Sequence, residues 1–159
     1  MDNIRVGSGI DIHCFAVDRK LILGGVEIPY ERGLLGHSDA DALLHALCDA
    51  LLGAAGFEDI GHQFPDTDPK YKDVSSLIFL RKTMLLLESK AFRVINADCN
   101  IVLQSPKIYK FIPEMKKNIS AILKTDNISI KATTSESLGF IGRNEGICCL
   151  ATVLIINEK

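Results

Sequence analysis

The chain has 159 residues, of which 47% are hydrophobic, 24% charged and 6% aromatic, and its formal net charge at pH 7 is −2. This length predicts one domain over residues 1–159, with a mostly aliphatic core because tryptophan is absent. The small negative charge excludes a strong general attraction to nucleic acid. No apolar run approaches the ~20 residues of a membrane span. We therefore expect neither nucleic acid nor a membrane as a partner.

Apolar periodicity and turn residues divide the chain into strands, helices and one long polar loop. In chain order the pattern predicts strands over 4–13 and 20–28, a helix over 39–55, a loop over 57–73, a helix over 75–90, a strand over 95–103, a helix over 112–124, and strands over 128–134 and 147–156. Their interleaving favours an α+β domain with one mixed sheet covered on one face by helices. The last strand is apolar throughout, so we expect another subunit to bury the second face.

The five cysteines are odd in number and include no C-x-x-C pair. We therefore expect buried thiols in a reducing compartment. No signal or transit segment is visible before the first predicted strand. These features favour the bacterial cytoplasm.

Asp11 and His13 end the first predicted strand, where alternate side chains point to the same face. His45 lies in the apolar helical run that follows. Together these side chains form a candidate three-ligand site for Zn²⁺, with the fourth tetrahedral position open. The alternative is a surface turn or a hydrogen-bonded pair without a metal.

Polar residues also mark the start of the predicted helix. Ser38 and Asp41 have the spacing of a capping box, with Asp in place of Glu. His37, Asp41, His45 and Asp49 follow at steps of four, as a polar stripe or as a merely solvated face. Free backbone N–H groups at a helix start can hold a phosphate. A metal and a phosphate would then lie side by side.

Eight segments match those of a known family, in the same order along the chain. They are Gly-Ile-Asp-Ile-His (9–13), Leu-Gly-Gly-Val-Glu-Ile-Pro-Tyr (23–30), Gly-Leu-Leu-Gly-His-Ser-Asp-Ala-Asp (33–41), Asp-Ala-Leu-Leu-Gly-Ala-Ala (49–55), Asp-Ile-Gly (59–61), Phe-Pro-Asp-Thr-Asp-Pro (64–69), Lys-Ala-Thr-Thr-Ser-Glu-Ser-Leu-Gly-Phe (131–140) and Gly-Arg-Asn-Glu-Gly-Ile (142–147). The chain resembles the 2-C-methyl-D-erythritol 2,4-cyclodiphosphate synthase family. The family also occurs in plastids, so a plastid origin with a removed transit peptide is the alternative location.

The resemblance implies two metal sites and a catalytic segment. Asp11, His13 and His45 match the ligands of one Zn²⁺ per subunit, and Glu136 matches the ligand of a second divalent ion, Mg²⁺ or Mn²⁺. The implied catalytic residues are His37 and Ser38, which match residues that hold the substrate phosphate, Asp41, the acidic residue of that segment, and Thr134, in the diphosphate segment.

The remaining matches are implied to bind ligands. Asp59, Gly61 and Asp66 match positions around the erythritol part of the substrate, Lys107 the cytidine loop, and Thr133 the diphosphate segment. Phe140, Arg143 and Glu145 match a central channel that takes an isoprenoid diphosphate, in a homotrimer whose sheets face that channel. Ser8 and Ile10 depart from the family, where many members have His and an aromatic residue. Ile10 faces the predicted channel.

The implied reaction is intramolecular. The 2-phosphate of a cytidine diphosphate-linked methylerythritol attacks the β-phosphorus, giving the cyclic diphosphate and CMP. Both reacting groups are anions, so positioning and charge neutralisation account for a site without a nucleophilic Ser or Cys.

Several residues also have structural interpretations. Thr133 and Thr134 suit a strand, Asp66 suits a turn, and Arg143 with Glu145 suits an exposed ion pair. His62 is expected to be a surface residue. A trimeric metal-bearing binding module without catalysis is the second functional hypothesis.

Overall fold

The computed structural model describes residues 3–158, with side chains from residue 4, so residues 1, 2 and 159 of the predicted domain lie outside the described residues. Seven strands are present in this range. They are β1 (Asn3–Ala16), β2 (Leu21–Leu23), β3 (Val26–Ile28), β4 (Gly33–Leu34), β5 (Phe92–Val102), β6 (Ile128–Thr133) and β7 (Gly146–Asn157). Five of them form one sheet in the order β4-β1-β7-β5-β6, and β2 and β3 form a separate hairpin.

Within the same described range, five α-helices lie between these strands. They are α1 (Ala42–Ala55), α2 (Ile60–Gln63), α3 (Leu77–Ser89), α4 (Ile112–Leu123) and α5 (Gly139–Gly142). Single 3₁₀ turns occur at Pro69–Tyr71 and Tyr109–Phe111. In the described residues no helix is long and apolar enough to cross a membrane.

The five-stranded sheet is mixed, as predicted. Strand β7 is antiparallel to both β1 and β5, whereas β5 and β6 are parallel. The parallel pair is connected by α4, which supplies the crossover that parallel neighbours require. An α+β single domain follows from this arrangement.

The structure corrects two predicted elements near the start of the chain. The strand predicted over 20–28 is a hairpin, because Gly24 and Gly25 adopt φ of 59° and 71° and turn the chain between β2 and β3. The helix predicted from 39 begins at Ala42, since Asp41 is its N-cap and Ala40 has a left-handed φ of 57°.

Two further differences lie in segments without strong periodicity. The loop predicted over 57–73 contains α2 and a 3₁₀ turn. The short elements β4 and α5 were not predicted. Each of these pieces has only two to four residues, too few to establish a hydrophobic period.

One face of the sheet packs against the helices. On β7 the residues at alternate positions from Ile147 to Ile155 are almost completely buried. The register places Gly7, Gly9 and Asp11 of β1 opposite Val153, Ala151 and Cys149, so these residues share that face. The prediction that helices cover one face is confirmed.

Helix α1 approaches β1 more closely than side chains would allow. A Cβ added to Gly7 would lie 1.9 Å from the backbone oxygen of Ala50, and one added to Gly9 would lie 2.0 Å from that of Ala46. Only glycine permits this contact, because no flexible side chain is present to move away. The two glycines therefore set the distance between α1 and β1.

The opposite face of the sheet, here called the outer face, is apolar and uncovered in the single chain. Ile4, Val6, Ile10 and Ile12 of β1 each expose more than half of their surface, and Leu150 of β7 exposes 39%. A contiguous apolar face of this kind is unusual on an isolated soluble domain.

The cysteines are all free thiols. Cys48, Cys99 and Cys149 are completely buried, and Cys148 is nearly so. The expectation of buried thiols is wrong for Cys14, which is exposed because it lies on the outer face of β1.

Replacing Gly9 with alanine is expected to push α1 away from β1 and lower the free energy of unfolding by about 1–3 kcal/mol, the usual cost of overpacking. Gly53→Ala is the matched control, because nothing lies within 4 Å of its added Cβ. That change should stabilise α1 by about 0.5–1 kcal/mol. Urea unfolding of both variants measures the difference. Equal stability of the two variants would contradict the proposed constraint.

Candidate active site

Three predicted ligand side chains converge where β1 meets α1. Asp11 and His13 are two residues apart on the helix-facing side of β1, and His45 lies in the first turn of α1. Nε2 of His13 is 2.9 Å and Nδ1 of His45 is 3.2 Å from the same oxygen, Oδ2 of Asp11. The interpretation of Asp11 and His13 as a surface turn is therefore wrong.

The backbone fixes the orientation of the His13 ring. Its Nδ1 donates to the carbonyl oxygen of Leu35 at 2.6 Å, and a carbonyl can only accept. In the neutral ring the lone pair of Nε2 therefore points at Asp11. An anionic oxygen and a ring lone pair repel each other unless a proton or a cation lies between them.

The pKa values of Asp11 and His13 show the same need for positive charge between these two side chains. Burial raises the pKa of Asp11, but hydrogen bonds with His13 and His45 outweigh it and bring the pKa to about 2. Burial lowers the pKa of His13, and Asp11 more than compensates, so that the pKa lies above its ordinary value. A metal would replace a proton here, so metal binding should release protons.

The donor set fits a divalent metal. Among residues 3–158, Asp11, His13 and His45 each offer one ligand atom, and these atoms lie within 4.8 Å of one another. Tetrahedral zinc with bonds of about 2.1 Å would separate its ligands by about 3.4 Å, close to the contacts with Asp11. Three protein ligands leave a fourth position for another group.

A cleft of about 360 Å³ opens beside the two histidines. Its lining includes many of the predicted site residues: His13, His37, Ser38, His45, Gly61 and Asp66. Phe64 and Phe79 stack at 5.1 Å between ring centroids in its wall. The predicted phosphate segment and the ligand set thus share one cavity.

Three backbone N–H groups at the helix start, where a phosphate is predicted, have partners within the chain. The Asp41 carboxylate already accepts from the backbone N–H of Leu44, as the N-cap of α1. Ser38 Oγ accepts from the N–H of Ala40, and Asp39 Oδ1 from that of Asp41. His37 and Ser38, in the segment before the helix, line the cleft.

Asp41 lies outside the cleft lining. It is completely buried, and its carboxylate also accepts from the backbone N–H groups of Gly24 and Gly25. Burial, with repulsion from Asp39, raises the pKa of Asp41 to about 7, although the backbone donors oppose this. These contacts tie the β2–β3 hairpin to α1, which is a structural role.

Asp49 does more than form a solvated helix face. Its Oδ1 accepts from the backbone N–H of Ile60 at 2.7 Å, which ties the start of α2 to α1. Asp59 caps α2 and pairs with His62 at 2.9 Å, where both side chains are exposed. His62 is a surface residue as predicted. These contacts hold Gly61 at the cleft.

A second cleft of about 180 Å³ lies at the ends of β5 and β6 and includes Lys107, Thr133 and Thr134 in its lining. Glu136 follows in the next loop and accepts from the Thr134 hydroxyl at 2.8 Å. Its φ of 52° is left-handed, a conformation that non-glycine residues adopt mainly where the surroundings enforce it.

The two clefts are well separated in one chain. Ile12 pairs with Cys148, Cys148 with Val102, and Val102 with Thr133. Three strand spacings of about 4.8 Å therefore put the metal end of β1 about 14 Å from Thr133. The lining residues of the two clefts do not overlap.

Phe140 lies in α5, and Arg143 follows it as the helix C-cap. Arg143 donates two hydrogen bonds to Glu145, at 2.9 and 3.0 Å. Both charged side chains are exposed, as the ion-pair interpretation expected. In the loop after α2, Asp68 caps the 3₁₀ turn Pro69–Tyr71. Asp66, by contrast, lines the first cleft.

Sequence reasoning missed three polar residues around the metal centre. Asp39 and Ser76 contact each other and lie behind His45, and Asp49 anchors α2. Ser76 immediately precedes α3 and resembles an ordinary N-cap, although it makes no capping hydrogen bond. Its hydroxyl contacts Asp39 and His45 instead, which is apparent only once the fold is known.

Comparison with known proteins gives a consistent family. The model of the YgbB family matches residues 4–156. A curated 2-C-methyl-D-erythritol 2,4-cyclodiphosphate synthase from Geobacter metallireducens is 54% identical over 96% of this chain and 98% of its own length. One from Syntrophobacter fumaroxidans is 51% identical, over 98% and 99% respectively.

Solved structures agree with this. A Plasmodium falciparum IspF described as a CDP complex is 39% identical, with a TM-score of 0.86 over all of this chain and 99% of that one. The bifunctional IspDF from Campylobacter jejuni has 43% identity and a TM-score of 0.94. This chain covers 99% of its own length in that match but only 43% of the bifunctional protein.

The family match, the curated relatives and the solved structures span nearly the whole chain and agree with each other. The chain therefore belongs to the YgbB family and has the function of its curated relatives, 2-C-methyl-D-erythritol 2,4-cyclodiphosphate synthesis in isoprenoid biosynthesis.

Proposed function

We propose that the cleft beside Asp11, His13 and His45 carries out the cyclisation, with Zn²⁺ on these three residues. An oxygen of the substrate 2-phosphate forms a bond to the β-phosphorus. The bond from that phosphorus to the bridging oxygen breaks, and its electron pair leaves with CMP. The observation that carries the proposal is the convergence of two ring nitrogens on one Asp11 oxygen at the edge of the cleft.

Charge neutralisation is the main chemical task, since both reacting groups are phosphates. Bound cations would supply positive charge to the attacking and attacked phosphates. His37 and Ser38 line the same cleft and are placed to hold the 2-phosphate. Gly61 and Asp66 also line this cleft, and Asp59 caps α2 two residues before Gly61. We assign these three residues to the erythritol part of the substrate, whose hydroxyl groups would need acceptors.

We assign the second divalent ion, Mg²⁺ or Mn²⁺, to Glu136. Carboxylate oxygen suits these hard ions, whereas imidazole suits zinc. The contact of Glu136 with Thr134 places the carboxylate beside the second cleft. That cleft, with Lys107 and Thr133, is assigned to the cytidine diphosphate.

The working unit is proposed to be a homotrimer with each active site shared by two subunits. The attacking and attacked phosphates are a few bonds apart, so their binding groups must be adjacent. Within one chain the two halves are separated by about 14 Å of sheet. Closure around a three-fold axis would bury the apolar outer face and bring halves from neighbouring chains together.

The same assembly would enclose a central channel. Phe140 and Arg143 are proposed to bind an isoprenoid diphosphate there, the phenyl ring contacting the chain and the guanidinium the diphosphate. Arg143 would then exchange its bidentate contact with Glu145 for the ligand.

His45→Ala should remove zinc from the purified protein, because two remaining ligands hold the ion weakly. Elemental analysis measures the metal content per subunit. His62→Ala is the matched control, since His62 is exposed and pairs only with Asp59 in the described contacts. Full zinc occupancy in His45→Ala would remove this residue from the ligand set.

Glu136→Gln should lower CMP release from the cytidylated substrate on the order of 100-fold while zinc content stays unchanged, since a charge-stabilising group is lost. The Mg²⁺ dependence of turnover should weaken in parallel. Glu114→Gln, an exposed residue in the first turn of α4, is the control. Wild-type turnover with unchanged Mg²⁺ dependence in Glu136→Gln would refute the assignment.

Mixing His45→Ala with Glu136→Gln subunits tests the shared site. After dissociation and reassembly in equal amounts, roughly a quarter of the sites should pair an intact zinc half with an intact nucleotide half. CMP release should recover to about that fraction of wild type. Each variant reassembled alone is the control, and inactivity of confirmed mixed trimers would show that one chain supplies both halves.

A further inference from the structure

Two polar side chains lie on the far side of the His45 ring from Asp11. Nε2 of His45 is 2.9 Å from Oγ of Ser76, and the Ser76 hydroxyl donates to Oδ1 of Asp39. The backbone N–H of Ser76 donates to the other Asp39 oxygen at 2.9 Å. Ser76 is completely buried, so its hydroxyl depends on these protein partners.

Asp39 decides the direction of the hydrogen bonds. An ionised carboxylate can only accept, so the single hydroxyl hydrogen of Ser76 points to Asp39. Oγ of Ser76 then offers only lone pairs to His45, and Nε2 of His45 must carry the ring hydrogen. Nδ1, which faces Asp11 Oδ2 at 3.2 Å, therefore carries a hydrogen for Asp11 only in the charged ring and is bare in the neutral ring.

We propose that Ser76 and Asp39 are positioning residues that hold His45 in the Nε2–H tautomer and so keep Nδ1 available to a metal. This inference rests on the proposed role of His45 as a ligand. In the competing arrangement the Ser76 hydroxyl donates to Nε2, and the ring hydrogen moves to Nδ1. It then donates to Asp11, and one proton occupies the position that the cation needs.

Ser38 is the alternative partner of the same ring nitrogen. Its Oγ is 3.3 Å from Nε2 of His45 and already accepts from the N–H of Ala40 at 3.2 Å. The Ser76 contact has the usual length of an N–H···O hydrogen bond. The Ser76 hydroxyl also donates to the Asp39 carboxylate, which fixes the direction of its hydrogen. The structure therefore favours Ser76.

Asp39→Asn is the most direct test, because it preserves shape while it removes one charge and replaces an acceptor with a donor. The two Asp39 oxygens each accept from a backbone N–H, that of Ser76 at 2.9 Å and that of Asp41 at 3.2 Å. The amide oxygen is expected to keep the shorter contact, with Ser76 N–H, so the amide NH₂ faces the Ser76 hydroxyl. Ser76 then accepts from the amide and donates to His45. ¹⁵N NMR of the metal-free protein, at a pH where the ¹⁵N shifts themselves report a neutral His45 ring, should show the hydrogen on Nε2 in wild type and on Nδ1 in Asp39→Asn.

Zinc affinity provides the second measurement. Competition with a chromogenic chelator should show about 10–100-fold weaker zinc binding in Asp39→Asn and in Ser76→Ala, the usual effect of losing such a partner. Ser75→Ala, at the exposed neighbouring position, is the control for the backbone, and Ser38→Ala tests the rival hydroxyl. Both should stay within about threefold of wild type.

The outcomes separate cleanly. An unchanged His45 tautomer in Asp39→Asn overturns the inference, even if zinc affinity falls, because the effect is then merely structural. A larger loss of affinity in Ser38→Ala than in Ser76→Ala also overturns it. If Ser76→Ala does not fold, the spectrum of Asp39→Asn decides. Because that spectrum needs no zinc, its result is independent of whether His45→Ala loses the metal.

Discussion

The close approach of α1 to β1 is the constraint on which the site depends. Asp11 and His45 come from different elements, yet their ligand atoms are 3.2 Å apart. Gly7 and Gly9 permit this because the helix backbone lies directly against the strand. Since Asp49 on the same helix anchors α2, the position of the cleft wall also follows from that contact. Two residues without side chains thus determine where the chemistry takes place.

Hydrogen-bond direction is the second organising principle. His13 gives its outward ring hydrogen to a backbone carbonyl, and His45 directs its outward nitrogen to a buried serine. Both rings thereby turn their remaining nitrogens toward Asp11. The ligand atoms of Asp11, His13 and His45 are therefore already oriented in the folded chain. The conformational entropy of orienting them is lost during folding and not during metal binding.

Much of the fold and part of the site could be predicted from the sequence. The hydrophobic periodicity of the long strands and of the three long helices matches the elements that form. Asp11, His13 and His45 were identified by their spacing together with the family resemblance. The hairpin at Gly24 and Gly25 was missed because hydropathy does not report backbone handedness.

Other features depend on contacts distant in the sequence. Ser76 and Asp39 are 37 residues apart, and the partner of Asp49 is a backbone N–H eleven residues away. No local pattern encodes such pairs. Asp41 is a different case: its place in a family motif predicts a catalytic role, and its burial and three backbone partners add a structural role that the motif does not indicate.

The distribution of thiols has a practical consequence. Burial raises the pKa of Cys48 and Cys99 to about 12 and that of Cys149 well above its usual range, so their reactive thiolates are scarce. Cys14 is exposed, on the apolar side of β1. A maleimide would therefore label the native chain at Cys14 first, and its rate would fall when another molecule covers that surface. The labelling rate of Cys14 would thus report whether the chain has assembled.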